Sequence, residues 1–429
     1  MIDRTIIPKI SKINHVDYQK PVEYIADNGN KVFGFYSKNA PVIKLDIIFN
    51  AGVLFQSTAL QAVFANSLIK EAPKGKNPDE ISEFFDYHGS YIESFISPET
   101  AGLRLFVPSK YYKDVIDTFL DFINNPDLPK DEFEILQKKY YEAIKNNLMK
   151  TQYVAMKGLD HEIFGSQHPL GYILNPDDAK NIEYPKIKKF VRDYYRLNNC
   201  DLIISGDYTL DMIDVLVKNF KKGKKGSEKT SFSEHLNLST VSGKMQKLRI
   251  YEFKDAVQSG LCAGLDLGKP TTEEGLVLNV LNMVFGGYFG SKLMKNIRED
   301  KGFTYGIGSV IRETGDKVLL KIISEVGVDV TKKAIDEIYY EMDMLSKKTI
   351  SEDELEAVKS YMIGEILSSV DGVIPCSMVF EKLHSQQRDL SYITKQIDTI
   401  NNITPEILMH TAKKFFNSDK LSFVVAGKV

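Results

Sequence analysis

Arg298 and Tyr305 stand seven positions apart in Phe285–Arg312 (FGGYFGSKLMKNIREDKGFTYGIGSVIR). A guanidinium is permanently charged and presents a rigid fork of N–H groups, and a phenol adds one O–H donor, so the pair suits a polar oxygen. The surrounding pattern positions them. Gly286 and Gly287 interrupt a helix that carries Leu276, Leu278, Val280, Leu281 and Val284, because glycine accepts backbone angles that other residues avoid. Ser291–Asp300 restarts the helix with Leu293, Met294 and Ile297 inward, and Gly302 ends it. Phe303–Ile311 follows as a strand, with Phe303, Tyr305, Ile307 and Ile311 on one face. By spacing alone a plainer reading stands beside the chemical one. An arginine in a charged last turn compensates the helix dipole, and a tyrosine alternating with Phe303 and Ile307 belongs to the core.

Complete catalytic motifs are missing. The chain has no nucleophile elbow, no phosphate-binding glycine loop, no dinucleotide fingerprint and no C-x-x-C pair. None of His15, His88, His161, His168, His235, His384 and His410 pairs at the i, i+4 spacing that places two imidazoles on one helix face for zinc. Cys200, Cys262 and Cys376 lie far apart, which suits buried thiols in a reduced, intracellular chain. A net charge of −3 gives no reason to expect nucleic acid or a membrane surface as partner, and no stretch reaches the length of a membrane span. The amino terminus has no secretory pattern, so a cytoplasmic location is expected.

With 429 residues, the chain exceeds one ordinary core. Strands are expected at Lys31–Tyr36 and Val42–Phe49, a helix at Thr58–Lys70, another from Pro78 to His88, and a hairpin at Ser90–Ile96 and Thr100–Val107. Long helices at Tyr111–Ile123 and Asp131–Met149 follow, then a helix at Ile182–Tyr195 and a strand at Asp201–Ser205. Residues 223–245 are rich in Lys, Gly and Ser and read as an exposed linker. The neighbouring Lys221, Lys222, Lys224 and Lys225 fit a solvated connector better than an anion site. Beyond the linker the plan repeats at a spacing of 216 to 222 residues: strand then helix, two long helices, and a terminal helix, strand and glycine. The expected fold is therefore α+β, with two similar domains at 1–222 and 246–429 that form half of a clamshell. The aromatic pairs Tyr140-Tyr141 and Tyr339-Tyr340 are expected in the core.

The duplicated layout, the Asn28–Val32 opening, the HPLG turn at His168–Gly171 and the stretch Leu293–Ser309 together resemble the pitrilysin/insulinase family of zinc metallopeptidases, and most of all its bacterial, processing-peptidase-like branch. The likeness covers nearly the whole chain. It implies that the family's His-x-x-Glu-His motif would fall on Val63, Phe64, Ala65, Asn66 and Ser67, and the third ligand on Ala143, beside Glu142. With both imidazoles and the general base gone, no metal is expected in this chain and no peptide hydrolysis by it alone. The resemblance also implies a role for Arg298 and Tyr305, whose types and spacing match the donor pair that family members aim at the substrate from the second domain. Ser90–Ile96 matches the family's edge strand, to which a peptide adds as another strand, although Glu93 replaces the usual Asn.

The expectation is a non-zinc subunit of a two-chain peptidase, paired with a homologue that supplies the zinc, or else with itself, and acting on short or unfolded peptides. The alternative is a catalytically inactive homologue that serves as a self-associating scaffold or peptide-binding module. An independent zinc enzyme with displaced ligands is a third reading, and metal analysis would dispose of it.

Overall fold

The computed structural model describes residues 13, 15–26, 29–220, 245–314 and 317–429. Apart from Met245, the expected linker 223–245 lies outside them, as do its neighbouring lysines and Asn28.

Strands rich in β-branched and aromatic residues build two sheets. In the first half these are β1 (Val22–Ile25), β2 (Lys31–Tyr36), β3 (Val42–Phe49), β4 (Tyr91–Ile96), β5 (Ala101–Pro108) and β6 (Cys200–Gly206), in the spatial order β1-β2-β6-β3-β5-β4. The second sheet holds β7 (Leu248–Glu252), β8 (Gln258–Asp266), β9 (Thr304–Thr314), β10 (Lys317–Gly327) and β11 (Ser422–Gly427), in the order β7-β11-β8-β10-β9. Without β1, the two orders correspond strand for strand. Each sheet has one parallel pair, β2 with β6 and β7 with β11, and is otherwise antiparallel. The duplication expected from the sequence is thus a duplication of topology.

The first half carries α1 (Gln61–Leu68), α2 (Pro78–Tyr87), α3 (Tyr112–Asn124), α4 (Lys130–Leu148), α5 (Thr151–Phe164), α6 (Pro176–Asn181), α7 (Tyr184–Tyr194) and α8 (Leu210–Phe220). The second carries α9 (Thr272–Asn282), α10 (Thr331–Lys347), α11 (Glu352–Ser369), α12 (Val373–Ser385), α13 (Ser391–Asn402) and α14 (Pro405–Phe415). Local chemistry starts two of these helices. Pro78 follows an Asn77 cap on α2, and a Thr271/Glu274 capping box opens α9. Helix α1 begins at Gln61 rather than Thr58, because Leu60 adopts a left-handed φ of 66°.

Each sheet buries one face against its own helices: Leu45, Ile47 and Phe49 in the first half, Leu261, Ala263 and Leu265 in the second. The opposite faces are covered by exchange. Helix α5 packs Ala155, Leu159 and Ile163 onto Cys262, Leu319 and Val424 of the second sheet. In return, α12 packs Cys376, Phe380 and Leu383 onto Phe33, Phe35 and Ile203 of the first. A large apolar side chain buried this way contributes roughly 1.5–3 kcal/mol, so the exchange binds the halves firmly. All three cysteines are buried and none forms a disulfide, and burial pushes the Cys262 thiol up to about 12. Among the described residues no single helix is long and apolar enough to cross a membrane.

Candidate functional site

The helix that carries Arg298 is not a plain α-helix. After α9 the chain makes one π-helical turn over Met283–Gly287, and Arg298 lies in a second π-helical segment, Met294–Asp300. Such widened turns concentrate at functional sites. Leu293 and Ile297 are fully buried and anchor the segment to the core. It closes at Gly302, whose φ of 64° favours glycine and whose N–H donates to the Arg298 carbonyl (3.1 Å). The half-buried Arg298 holds its guanidinium 4.7 Å above the ring of Phe289, itself 62% exposed, and among the described residues it forms no ion pair. A cation over an aromatic face gains about 0.5–1 kcal/mol at an exposed site. That favours this placement of the cation and engages none of its N–H groups in an ion pair among the described residues.

Tyr305 lies on β9, the edge strand of the second sheet, and is 89% exposed. The expectation that it shares a face with Ile307 fails for a specific reason. Ile307 pairs with Ser324 and Thr304 with Val326, so Tyr305 and Gly306 together oppose the single Glu325 in a β-bulge. Side chains hold the bulge: the Thr304 hydroxyl donates to the Glu325 carbonyl (2.5 Å) and accepts from Gly306 N–H (3.0 Å), and Ser324 donates to the Gly306 carbonyl (2.9 Å). The extra residue breaks the alternation. Thr304 and Ile307 go in and Tyr305 goes out.

Neither Arg298 nor Tyr305 lines the larger cavity, of about 1040 Å³, or the smaller one of about 470 Å³. The larger cavity is formed by residues of the second half alone and does not lie between the two halves. The smaller sits beside the Arg298 segment, walled by Asn296, Tyr340 and Glu341, and burial raises the Glu341 carboxyl. Tyr340 is 54% exposed, against the expectation of a core role, while Tyr140, Tyr141 and Tyr339 do pack on the cores.

The helix expected to correspond to the metal motif is α1, and its residues do not fit zinc. Val63 and Ala143 offer no donor atom, Ser67 is half-buried, and Ala143 and Glu142 are exposed on α4. Phe64 is buried instead against Phe133 and Tyr140 of α4, at 5.8 and 5.1 Å between centroids. Asn66, only 3% exposed, donates from Nδ2 to the Phe95 carbonyl (2.8 Å) and accepts from the Tyr195 hydroxyl (2.9 Å). Its carboxamide clasps α1 to β4 and to the turn after α7. Among the described residues no three His, Cys, Asp or Glu side chains gather as a metal site.

Comparison with known proteins fits this arrangement. Residues 181–362 match the family described as "Peptidase M16 inactive domain". Over that segment the chain resembles the peptidase M16 family. It is 22% identical over 390 residues to the "Uncharacterized zinc protease YmxG" of Bacillus subtilis, spanning 88% of this chain and 92% of that one. It is 21% identical over 359 residues to the "Probable inactive metalloprotease YmfF" of the same organism, spanning 74% and 82%. The crystal structure of a peptidase M16 inactive domain from Pseudomonas fluorescens superposes with a TM-score of 0.83 at 18% identity, covering 95% of this chain and 98% of that one. The description "inactive domain" applies to residues 181–362, and α1 and α4 assemble no zinc ligand set.

Sequence reasoning missed a second cluster. Lys44 and Asp46, fully buried on β3, contact each other, and Asp46 accepts from Arg104 Nε (2.5 Å). Arg104 also binds Glu381 of α12 (2.6 Å), and Lys44 binds Ser377 (3.2 Å). The signal was available: two charges at i, i+2 in the apolar strand VIKLDIIF must share one face.

Proposed function

We propose that this chain is the non-zinc subunit of a two-chain M16 peptidase, offering Arg298 and Tyr305 to a peptide held at the zinc of a homologous partner. The observation that carries the reading is the contrast between the two candidate regions. The carboxamide of Asn66 is spent on packing, whereas Tyr305 is 89% exposed on a bulged edge and Arg298 has no ion-pair partner among the described residues. Donors meant for a substrate in another subunit must face outward in the isolated chain. Attack on a peptide carbonyl develops negative charge on oxygen, and a fixed guanidinium and phenol lower the barrier by stabilising it. Extended or unfolded peptides are the substrates of this reading, since both subunits must reach the same backbone.

The test combines the chain with a zinc-motif M16 homologue and follows cleavage of a quenched fluorescent peptide. Cleavage requires both chains, and Arg298→Ala lowers kcat on the order of a hundredfold or more. Tyr305→Phe gives a smaller loss. Full activity in both variants rejects the donor role. No cleavage with any homologue favours the inactive scaffold or peptide-binding module.

A further inference from the structure

The larger cavity is a cleft of about 1040 Å³ between α9, the far end of the β9–β10 hairpin and helices α11 to α13. It is built into the second half by two departures from the first. The connection from β3 to α1 runs through residues 50–60 and buries Leu54 and Phe55, whereas that from β8 to α9 is only residues 267–271. Strand β9 spans 11 residues against the 6 of β4, so the hairpin extends past the sheet. The space opened has an apolar floor, including Leu276, Val280 and Ile366.

Its charge is one-sided. Glu313 is neutralised by Arg388 (2.8 Å) and Lys317 by Asp266 (3.3 Å). Lys269, Arg312 and Lys382 line the same cleft, are exposed, and form no ion pair among the described residues. Against them stands Glu365, which accepts from the Tyr361 hydroxyl (2.7 Å). The cleft is therefore cationic in a chain whose formal charge is −3. Its volume lies at the upper end of the roughly 300–1,000 Å³ of ordinary small-ligand pockets, and its free cations come from three different elements. A small anion would satisfy one cation and leave the floor empty.

We infer that this cleft binds an extended peptide segment in which acidic residues alternate with apolar ones, the carboxylates meeting Lys269, Arg312 and Lys382 and the apolar side chains covering the floor. The inference does not rest on the subunit reading, because binding is measured on this chain alone.

The experiment follows fluorescence anisotropy of a fluorescein-labelled peptide alternating Leu and Val with Glu and Asp, titrated with the full chain. Its isomer with Lys in place of the acids is the control. The acidic peptide binds, more weakly as salt rises, and the lysine isomer does not. Arg312→Glu with Lys382→Glu weakens binding on the order of tenfold or more. Gly275→Phe supplies a variant that keeps the fold: Gly275 lines the cleft on α9, and a Cβ there meets nothing within 4 Å. Its ring projects over the apolar floor and weakens binding while the thermal transition stays put. Equal binding of both isomers, or unchanged binding in the charge-reversed chain or in Gly275→Phe, overturns the inference. So does displacement of a labelled fatty acid from the cleft by unlabelled laurate with no binding of the acidic peptide.

Discussion

Asn66 and Asn282 occupy matching places in the two halves and do the same job. Asn66, near the end of α1, donates to the carbonyl of Phe95 on edge strand β4 (2.8 Å). Asn282, the last residue of α9, donates to the carbonyl of Ser309 on edge strand β9 (3.2 Å) and accepts from the Ser309 hydroxyl (2.7 Å). The position at which the family resemblance places a general base has thus taken on the structural role its counterpart plays in the half that has no metal motif. The halves diverge one element later. Helix α2 ends at Gly89 (φ 59°) and enters β4 without a bulge, where Tyr91 stacks on Phe106. The Arg298 segment ends at Gly302 (φ 64°) and enters β9 through a bulge that turns Tyr305 outward. Tyr91 is 50% exposed and stacked on a neighbour, whereas Tyr305 is 89% exposed. The two halves share the clasp and differ in the edge strand that follows it.

The sharpest way to break this comparison is to remove the outward-facing donor. Arg298→Ala should cost on the order of a hundredfold in the mixed peptidase assay, while its circular dichroism and melting temperature stay near those of the parent. Truncating Tyr91, which opens the corresponding edge strand, should leave that assay unchanged. The second test addresses the clasp. Asn66→Ala strands the buried Phe95 carbonyl and the Tyr195 hydroxyl together, and urea unfolding should register a loss of about 2–4 kcal/mol. Asn282→Ala should cost less, because the Ser309 hydroxyl remains beside its own carbonyl to occupy the space.

Most of the scaffold was legible in the sequence because it depends on local patterns repeated twice: alternating strands, capped helices and terminal glycines at a common spacing. The placing of an emptied motif on Val63, Asn66, Ser67 and Ala143 came from the family resemblance and not from these patterns. The outward turn of Tyr305 was not legible, since it follows from hydroxyls of Thr304 and Ser324 that sit on neighbouring strands and fix a bulge no periodicity announces. The exchange of α5 and α12 was also hidden. An apolar helix face shows that it is covered, but not by which sheet. The partners of Lys44 and Asp46 lie on α12, far along the chain, and only the fold brings Glu381 to Arg104.

The exchanged helices offer a finer comparison. Each presents a carboxylate to a cation on the opposite sheet, Asp160 to Lys321 and Glu381 to Arg104, but only the α5 side also relies on glycine contact. A Cβ on Gly158 would stand 2.6 Å from the Tyr251 ring and 2.9 Å from a Val424 methyl. Gly158→Ala should therefore destabilise the chain by roughly 1–3 kcal/mol in spite of the better helix propensity of alanine.

On the α12 side the test is pH. Burial, and then the nearby Asp46 carboxylate, raise the Glu381 pKa above its ordinary value of 4.5, outweighing the pull of Arg104 and Lys44. A carboxyl with a raised folded pKa binds more protons folded than unfolded. Its contribution to stability is therefore fullest below the ordinary carboxylate range and is lost as pH climbs through the folded pKa. Glu381→Gln removes that titration. Urea midpoints of parent and variant, measured from acid towards neutral pH, should diverge in the variant's favour as pH rises through that window, by a margin smaller than either packing mutation produces. Parallel midpoints across the range would mean that Arg104 holds Glu381 ionised throughout, and that the two exchanged helices are anchored by equivalent ion pairs after all.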